Sequence, residues 1–216
     1  MYVETPKVCC STIKVNLQRL ETRNFQFHWD DDRDIHNRAL SPLIKPSQTL
    51  EFDRLIAKKE LFTFCFVRNP YTRLLSCYLD KIAGNKPPKR QVLEIMGRSG
   101  DELDMQVTFS EFVEVISSQK IFDMNPHWRP QYYQTFQDTI AYDYVGRYES
   151  FANDFGQVLS RISSGSIKRF AIENRHGTNA DNKIPGFYTG DILRKVNTLF
   201  AIDFEHFNYR PMDKIQ

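Results

Sequence analysis

Two short segments of this chain carry cations and hydroxyls in a pattern that suits phosphate binding. Residues 6–12 read PKVCCST, and residues 66–76 read FVRNPYTRLLS. Each is typical of a strand that runs through a tight turn into a helix, and a helix start offers free backbone N–H groups and a positive dipole end to an anion. The pair predicts a nucleotide that is bound at both its 5′ and its 3′ phosphates.

The first segment predicts a phosphate loop without the lysine position of ordinary nucleotide kinases. Cys9, Cys10, Ser11 and Thr12 would supply backbone amides, and the hydroxyls of the last two add donors. Lys7 precedes the turn, so it would reach a bridging oxygen from the strand side. The segment lacks the GxxxxGK[ST] signature, which argues against an ordinary P-loop kinase, and a P-loop-type nucleotide or small-molecule kinase is kept as the alternative. Taken alone, an ordinary strand-to-helix turn beside a surface lysine explains the segment as well.

The second segment predicts a site for a phosphomonoester. Arg68 follows the apolar run 61–67, which is typical of a strand buried on both faces. Ligands bind beyond that end of the strands in open α/β sheets. Pro70 can begin the next helix, and Ser76 on that helix would add a hydroxyl to the fork-like donors of the guanidinium. A capping arginine and a solvated serine are the structural alternative.

The elements that must position these residues alternate between strands and helices. The pattern predicts one domain over residues 1–216 with a three-layer, P-loop-like α/β fold, in which a central parallel sheet is flanked by helices. Strands are expected near residues 1–5, 61–67 and 140–146, with a further strand-like stretch at 35–44. Helix starts are expected at Ser11 or Thr12, Pro70, the Thr108–Glu111 capping box, Ser150 and Gly190.

Composition limits the function classes. The 216 residues are 41% hydrophobic, which fits a packed globule, and the net charge of +2 is too small by itself to indicate nucleic-acid binding, so no nucleic-acid partner is expected. The four cysteines lack the spacing of a metal site or of a disulfide framework. No apolar stretch is long enough to span a membrane, and no leader segment is evident. We expect a cytoplasmic protein, with a luminal Golgi-type domain that lacks its anchor as the alternative.

The two segments together resemble the phosphosulfate loop and the 3′-phosphate motif of sulfotransferases that use 3′-phosphoadenosine 5′-phosphosulfate (PAPS). The match is closest to the carbohydrate sulfotransferases of family 2, which include the chondroitin and dermatan 4-O-sulfotransferases. Their loop resembles PKVAC followed by Ser or Thr, and their second motif resembles FVRxPxxRLxSxYxxK. Residues 126–131 (PHWRPQ), 142–149 (YDYVGRYE) and 203–209 (DFEHFNY) resemble further family segments in the same order.

The resemblance implies a PAPS-dependent O-sulfotransferase that acts on a glycan or another hydroxylated acceptor, without a metal. Lys7 would steady charge on the bridging oxygen as the bisphosphate leaves. The loop residues Cys9, Cys10, Ser11 and Thr12 would hold the 5′ phosphosulfate. Arg68 and Ser76 would bind the 3′-phosphate.

The acceptor hydroxyl needs a general base, and two histidines compete for that role, with His127 as the first candidate and His36 as the second. His127 lies in the family-like segment beside Trp128, an aromatic side chain that could stack on a sugar ring. His36 lies between the two phosphate motifs, where some other glycan sulfotransferases have their base. A hydrogen-bonded structural histidine is the alternative for either residue.

Overall fold

The parallel sheet predicted from the sequence is present. A computed structural model of the protein describes residues 1–24, 35–98, 103–163 and 178–213. Its strands are β1 (Tyr2–Val3), β2 (Phe64–Val67) and β3 (Tyr144–Arg147), in the spatial order β1-β2-β3. β1 and β2 run parallel, with Tyr2 opposite Phe64. All of β2 is buried, as its continuous apolar sequence predicts. The α/β class is confirmed.

The helices include the elements that carry both phosphate motifs. They are α1 (Cys10–Thr22), α2 (Phe52–Ala57), α3 (Pro70–Cys77), α4 (Lys89–Ile95), α5 (Phe109–Ser118), α6 (Gln131–Gln134), α7 (Phe151–Ile162), α8 (Ile184–Phe187), α9 (Gly190–Leu199) and α10 (Ala201–His206). A π-helical segment, Tyr78–Ile82, directly continues α3. Short 3-10 turns lie at Pro46–Gln48, Ile121–Asp123, Tyr148–Ser150 and Ala180–Lys183.

The chain forms two compact units. Unit one comprises Met1–Glu4, Cys9–Phe66 and Ala141–Arg175, and unit two comprises Thr5–Val8, Val67–Ile140 and His176–Gln216. The single domain expected over residues 1–216 stays a prediction.

The core of unit one is built around an aromatic cluster. The ring of Phe66 lies 5.3 Å from that of Phe151 and 6.0 Å from that of Phe155. Gly146 on β3 makes room for it, because a Cβ there would lie 2.3 Å from the Phe66 ring. Only glycine leaves that space.

The core of unit two packs α3 against later helices. Tyr71 on α3 meets Tyr188 edge-on at 5.4 Å between ring centroids. Trp128 is fully buried, lies edge-on to Phe112 at 5.5 Å, and donates from its indole nitrogen to Gln119 at 2.9 Å. The expectation that Trp128 offers a stacking face to a sugar is therefore wrong.

Two helix starts follow the predicted chemistry. The Asn69 side chain accepts from the Tyr71 amide at 3.0 Å, directly before Pro70 in the first turn of α3. Thr108 and Glu111 form the predicted capping box of α5.

Three local expectations were wrong. α1 begins at Cys10 with Cys9 as its cap, so Thr12 lies inside the helix. Residues 35–44 begin with a short helical stretch and continue as turns instead of a strand. Ser150 precedes α7 without a side-chain capping bond, because its hydroxyl donates to Asp154 at 2.8 Å.

Candidate active site

The turn into α1 has the geometry of an anion-binding helix start. Cys9 adopts a left-handed conformation, with φ 50° and ψ 25°, and Cys10 then begins a helix of 13 residues. Left-handed backbone is costly for a residue with a Cβ and is concentrated at functional sites. A left-handed residue followed by helical ones also turns successive N–H groups toward one side. Ser11 is partly exposed, whereas Thr12 is only 2% exposed. The predicted phosphate-binding roles of these residues stay predictions.

Lys7 is held by a carboxylate that the sequence analysis did not single out. Its Nζ donates to Asp80 Oδ2 at 2.7 Å, and the two side chains are only 10% and 7% exposed. Lys81 and Lys86 also reach Asp80, at 3.0 and 2.5 Å. Burial would raise the pKa of Asp80, but the hydrogen bonds and charge of Lys7, aided by Lys86 and Lys81, hold that pKa well below its usual value. Asp80 is therefore ionised and fixes the ammonium of Lys7.

Arg68 joins the second motif to the first. Its Nη1 donates to the carbonyl oxygen of Lys7 at 3.4 Å. Its Nε donates to Thr72 Oγ1 at 2.9 Å, and its Nη2 lies 3.2 Å from both carboxylate oxygens of Asp181. The buried amide of Gln131 pairs with the backbone N–H and C=O of Arg68 at 2.8 Å each. The guanidinium therefore has a fixed position in unit two.

Ser76 lies in the same unit as Arg68, on the last turn of α3. It is 3% exposed, and its Oγ accepts a hydrogen bond from Thr178 Oγ1 at 3.1 Å. The structure thus shows both predicted 3′-phosphate residues engaged by protein groups.

Arg73 clamps the backbone around two of the predicted site residues. It is 1% exposed and donates to the carbonyl oxygens of Pro6, Arg129 and Pro126 at 3.1, 2.9 and 3.0 Å. Pro6 directly precedes Lys7, and residues 126–129 contain His127. Arg73 therefore positions the backbone on either side of the predicted chemistry, a role the sequence did not reveal.

His36 contacts the phosphate turn within unit one. Its Nε2 lies 3.1 Å from Ser11 Oγ, while its Nδ1 lies 3.0 Å from Lys14 Nζ and 3.5 Å from a Glu4 oxygen. Glu4 also pairs with Lys14 at 2.6 Å. Burial opposes ionisation of Glu4, but its bonds to His36 and Lys14 and their charges lower its pKa to about 2. The Lys14 ammonium and the charged Glu4 carboxylate thus both face Nδ1 of His36, and a hydroxyl from the first turn of α1 faces Nε2.

Glu4 and His36 also form a cluster with Cys10 whose side chains could bind a metal ion. The ligand atoms of Glu4, Cys10 and His36 lie within 4.8 Å of one another, and carboxylate, thiolate and imidazole all suit zinc. The ammonium of Lys14 donates hydrogen bonds to two members of this cluster, the carboxylate of Glu4 and Nδ1 of His36. A function without metal stays a prediction.

His127 has a different environment in unit two. Its Nδ1 lies 2.7 Å from Asn125 Oδ1. Burial, followed by the charges of Lys81, Lys7 and Arg73, lowers the pKa of His127 to about 3. The imidazole is therefore neutral over the physiological range and a weak proton acceptor.

The structure brings together residues that sequence reasoning could not pair. Lys7 and Asp80 are separated by 73 positions, and Arg68 and Asp181 by 113. The sequence YLDK around Asp80 offers no local signal for a distant lysine. Asp181 lies in a polar stretch that is typical of a solvated loop.

Comparison with known proteins identifies the family. The profile described as the sulfotransferase family matches residues 1–210. The chain belongs to this family. The predicted resemblance is thereby confirmed.

The curated relatives are vertebrate carbohydrate sulfotransferases. Carbohydrate sulfotransferase 14 of Danio rerio is 28% identical over 97% of this chain and 59% of its own length. The Homo sapiens protein of that name is 30% identical over 79% of this chain and 46% of its own length. Carbohydrate sulfotransferase 11 of Mus musculus is 25% identical over 97% of this chain and 64% of its own length. The chain thus spans about half to two thirds of these relatives. No solved structure matches it significantly.

Among the residues that the structure describes, no helix has the length and apolar character needed to cross a bilayer. The cytoplasmic localisation expected from the sequence, and its luminal alternative, stay predictions.

Proposed function

We propose that this chain transfers the sulfuryl group of PAPS to a hydroxyl group of a glycan. The observation that carries the proposal is the contact between the two phosphate motifs within unit two. Arg68 donates to the carbonyl oxygen of Lys7 at 3.4 Å, and Arg73 donates to that of Pro6 at 3.1 Å. Family membership supports the reaction class, and the names of the relatives support a carbohydrate acceptor.

The residues present fit the phosphate groups of such a donor. Lys7 and Arg68 are cations whose side chains are only 10% and 4% exposed, and each is paired with a carboxylate. A mostly buried ammonium or guanidinium that is held by one carboxylate keeps further N–H donors, and these suit phosphate oxygens. Within unit one, the start of α1 offers backbone amides and a positive dipole end, which suit a phosphate group by themselves.

In the proposed reaction, different residues stabilise charge, bind the phosphate groups and accept the proton. PAPS supplies an activated sulfuryl group, whose bond to the 5′-phosphate oxygen breaks as a bond to the acceptor oxygen forms. Lys7 stabilises the negative charge that develops on the 5′-phosphate oxygen. Within unit two, Arg68 and Ser76 bind the 3′-phosphate. A histidine takes the proton of the acceptor hydroxyl.

His36 is the better base on the geometry of its neighbours. Lys14 Nζ can only donate and lies 3.0 Å from Nδ1, so Nδ1 is the accepting nitrogen of the ring and Nε2 carries the proton beside Ser11 Oγ. His36 then takes the acceptor proton on Nδ1 once Lys14 turns to Glu4, with which it also pairs at 2.6 Å, and the ionised carboxylate stabilises the imidazolium that forms. For His127, burial and neighbouring cations disfavour the imidazolium and lower its pKa to about 3.

The test combines product-nucleotide binding with transfer. The protein should be retained on resin-bound adenosine 3′,5′-bisphosphate, and it should move label from [³⁵S]PAPS to at least one member of a glycan panel. The Lys7→Ala variant should be retained on the resin without transferring label. Failure of the wild-type protein to bind the resin, together with phosphoryl transfer from ATP, would favour the kinase alternative.

A further inference from the structure

One short segment contacts both residues assigned to the 3′-phosphate. Thr178 Oγ1 donates to Ser76 Oγ at 3.1 Å. Three positions later, both carboxylate oxygens of Asp181 lie 3.2 Å from Arg68 Nη2. All four residues belong to unit two. A negatively charged oxygen group of this protein therefore already lies on the guanidinium that would receive a phosphate.

The pairing has the properties of an exchangeable contact. The Arg68 side chain is 4% exposed, so its charge needs a counter-ion, whereas the Asp181 side chain is 53% exposed. The two 3.2 Å distances are longer than the roughly 2.7–2.9 Å of strong charge-assisted hydrogen bonds. Both oxygens also share one nitrogen instead of using the bidentate fork. Asp181 thus compensates the buried charge without the geometry of a tight pair.

The backbone that carries Asp181 is anchored independently of this contact. Ala180 is only 1% exposed. Farther along the segment, the hydroxyl of the buried Tyr188 donates to the carbonyl oxygen of Tyr71 on α3 at 2.7 Å. The carboxylate can therefore leave Arg68 by a side-chain rotation toward solvent while the turn stays in place.

We propose that Asp181 is a stand-in for the nucleotide 3′-phosphate, which displaces it from Arg68 on binding. This inference rests on the proposed function. Because the carboxylate competes equally with donor and product, it weakens the binding of both nucleotides. A nucleotide without a 3′-phosphate does not displace Asp181 and gains nothing from its removal.

The experiment is a calorimetric cycle at low ionic strength with two ligands that differ only in the 3′-phosphate. Adenosine 3′,5′-bisphosphate and adenosine 5′-phosphate are titrated into wild type, Asp181→Asn, Arg68→Ala and the double variant. Because Asp181 is more than half exposed and its contact is long, the pair is expected to contribute about 0.2–1 kcal/mol, so removal of the competitor should tighten bisphosphate binding by about 1.4-fold to fivefold. Affinity for adenosine 5′-phosphate should not change. In the Arg68→Ala background, the Asp181→Asn change should have no effect on either ligand.

Asp191→Asn is the matched control, since Asp191 is an exposed carboxylate paired with Arg194 on α9. It should leave bisphosphate affinity unchanged. The gain from Asp181→Asn should shrink as salt screens the pair. Equal or weaker bisphosphate binding by Asp181→Asn would overturn the inference while leaving the proposed function intact. A wild-type protein that binds no bisphosphate would overturn both.

Discussion

At the scale of single residues, Lys7 combines two properties that a charge-stabilising group needs. Its ammonium is mostly buried, where a charge acts more strongly than in water, and its position is fixed by Asp80 at 2.7 Å. A donor fixed before the reaction needs no reorganisation when negative charge develops. Its contribution should therefore fall on the chemical step more than on nucleotide binding.

The Lys7→Ala variant tests this division. We expect turnover to fall by about 10²–10³-fold, the loss typical of one preorganised donor, while affinity for adenosine 3′,5′-bisphosphate changes little. Steady-state kinetics and calorimetry measure the two quantities. Lys86→Ala is the matched control, because Lys86 also pairs with Asp80. Unchanged turnover in Lys7→Ala, or an equal loss in Lys86→Ala, would show that Lys7 has no special role.

The identity of the base is a second question at this scale. A protonated imidazole cannot accept the acceptor proton, so turnover should fall as the pH drops through the pKa of the catalytic histidine. We expect His36→Ala to lose most turnover at every pH and His127→Ala to keep the acid limb of the wild-type profile. If His127 were the base, its limb would lie near pH 3, because its pKa is lowered to about 3.

One outcome would contradict the assignment of His36 as the base. Full activity in His36→Ala together with loss of activity in His127→Ala would reverse the assignment. If neither variant lost activity, a carboxylate would be the next candidate. Glu149 would be tested first, because the other acidic candidates, in the sequence DDDRD at residues 30–34, lie outside the described part of the chain.

At the scale of elements, α3 and its π-helical continuation carry much of the unit-two site. α3 carries Ser76 and Arg73, and the segment Tyr78–Ile82 carries Asp80. π-helical turns are rare in proteins, and those that occur often lie at functional sites. Here the turn belongs to the element that presents the carboxylate to Lys7.

Asp80→Asn should therefore impair the reaction through Lys7. An amide cannot fix the ammonium as an ionised carboxylate does, so we expect turnover to fall about tenfold with little change in bisphosphate affinity. The double-mutant cycle with Lys7→Ala is the decisive measurement. In that background the Asp80→Asn change should add almost nothing, whereas additive losses would mean that Asp80 acts separately from Lys7.

The sequence predicted the elements better than the contacts between them. The buried apolar run, Pro70 and the Thr108–Glu111 pair correctly located β2, α3 and α5, because burial and capping are encoded by neighbouring residues. The strand expected at 35–44 was wrong, since a short apolar alternation does not decide between a strand and a turn. Asp80 and Asp181 were missed because their partners are distant in sequence. No local pattern indicates such pairs.

At the scale of the whole molecule, several buried or paired groups make stability depend on pH. The pKa values of Glu4 and Glu111 are lowered to about 2, each by hydrogen bonds and nearby cations. A carboxyl group whose pKa is lowered by folding stabilises the fold fully when the pH is above its pKa in the unfolded chain. It loses that contribution as the pH falls toward its pKa in the folded chain. The contribution of these two carboxyl groups to stability is therefore lost only as the pH falls below about 4.5, which is their ordinary pKa. Between about pH 4.5 and 6.5, the protonation of His127 should make stability depend on pH.

The last prediction uses this range. The pKa of His127 is lowered from 6.5 to about 3 in the folded state, so below pH 6.5 the unfolded chain binds a proton that the folded chain does not. Stability must then fall as the pH falls, by on the order of 2 kcal/mol between pH 6.5 and 4.5. Urea unfolding across this range should show the decline in wild type and a flatter profile in His127→Gln. His206→Gln, which removes an exposed histidine on α10, should keep the wild-type slope. An equal slope in His127→Gln would mean that the imidazole is not held neutral by burial and by the cations around it.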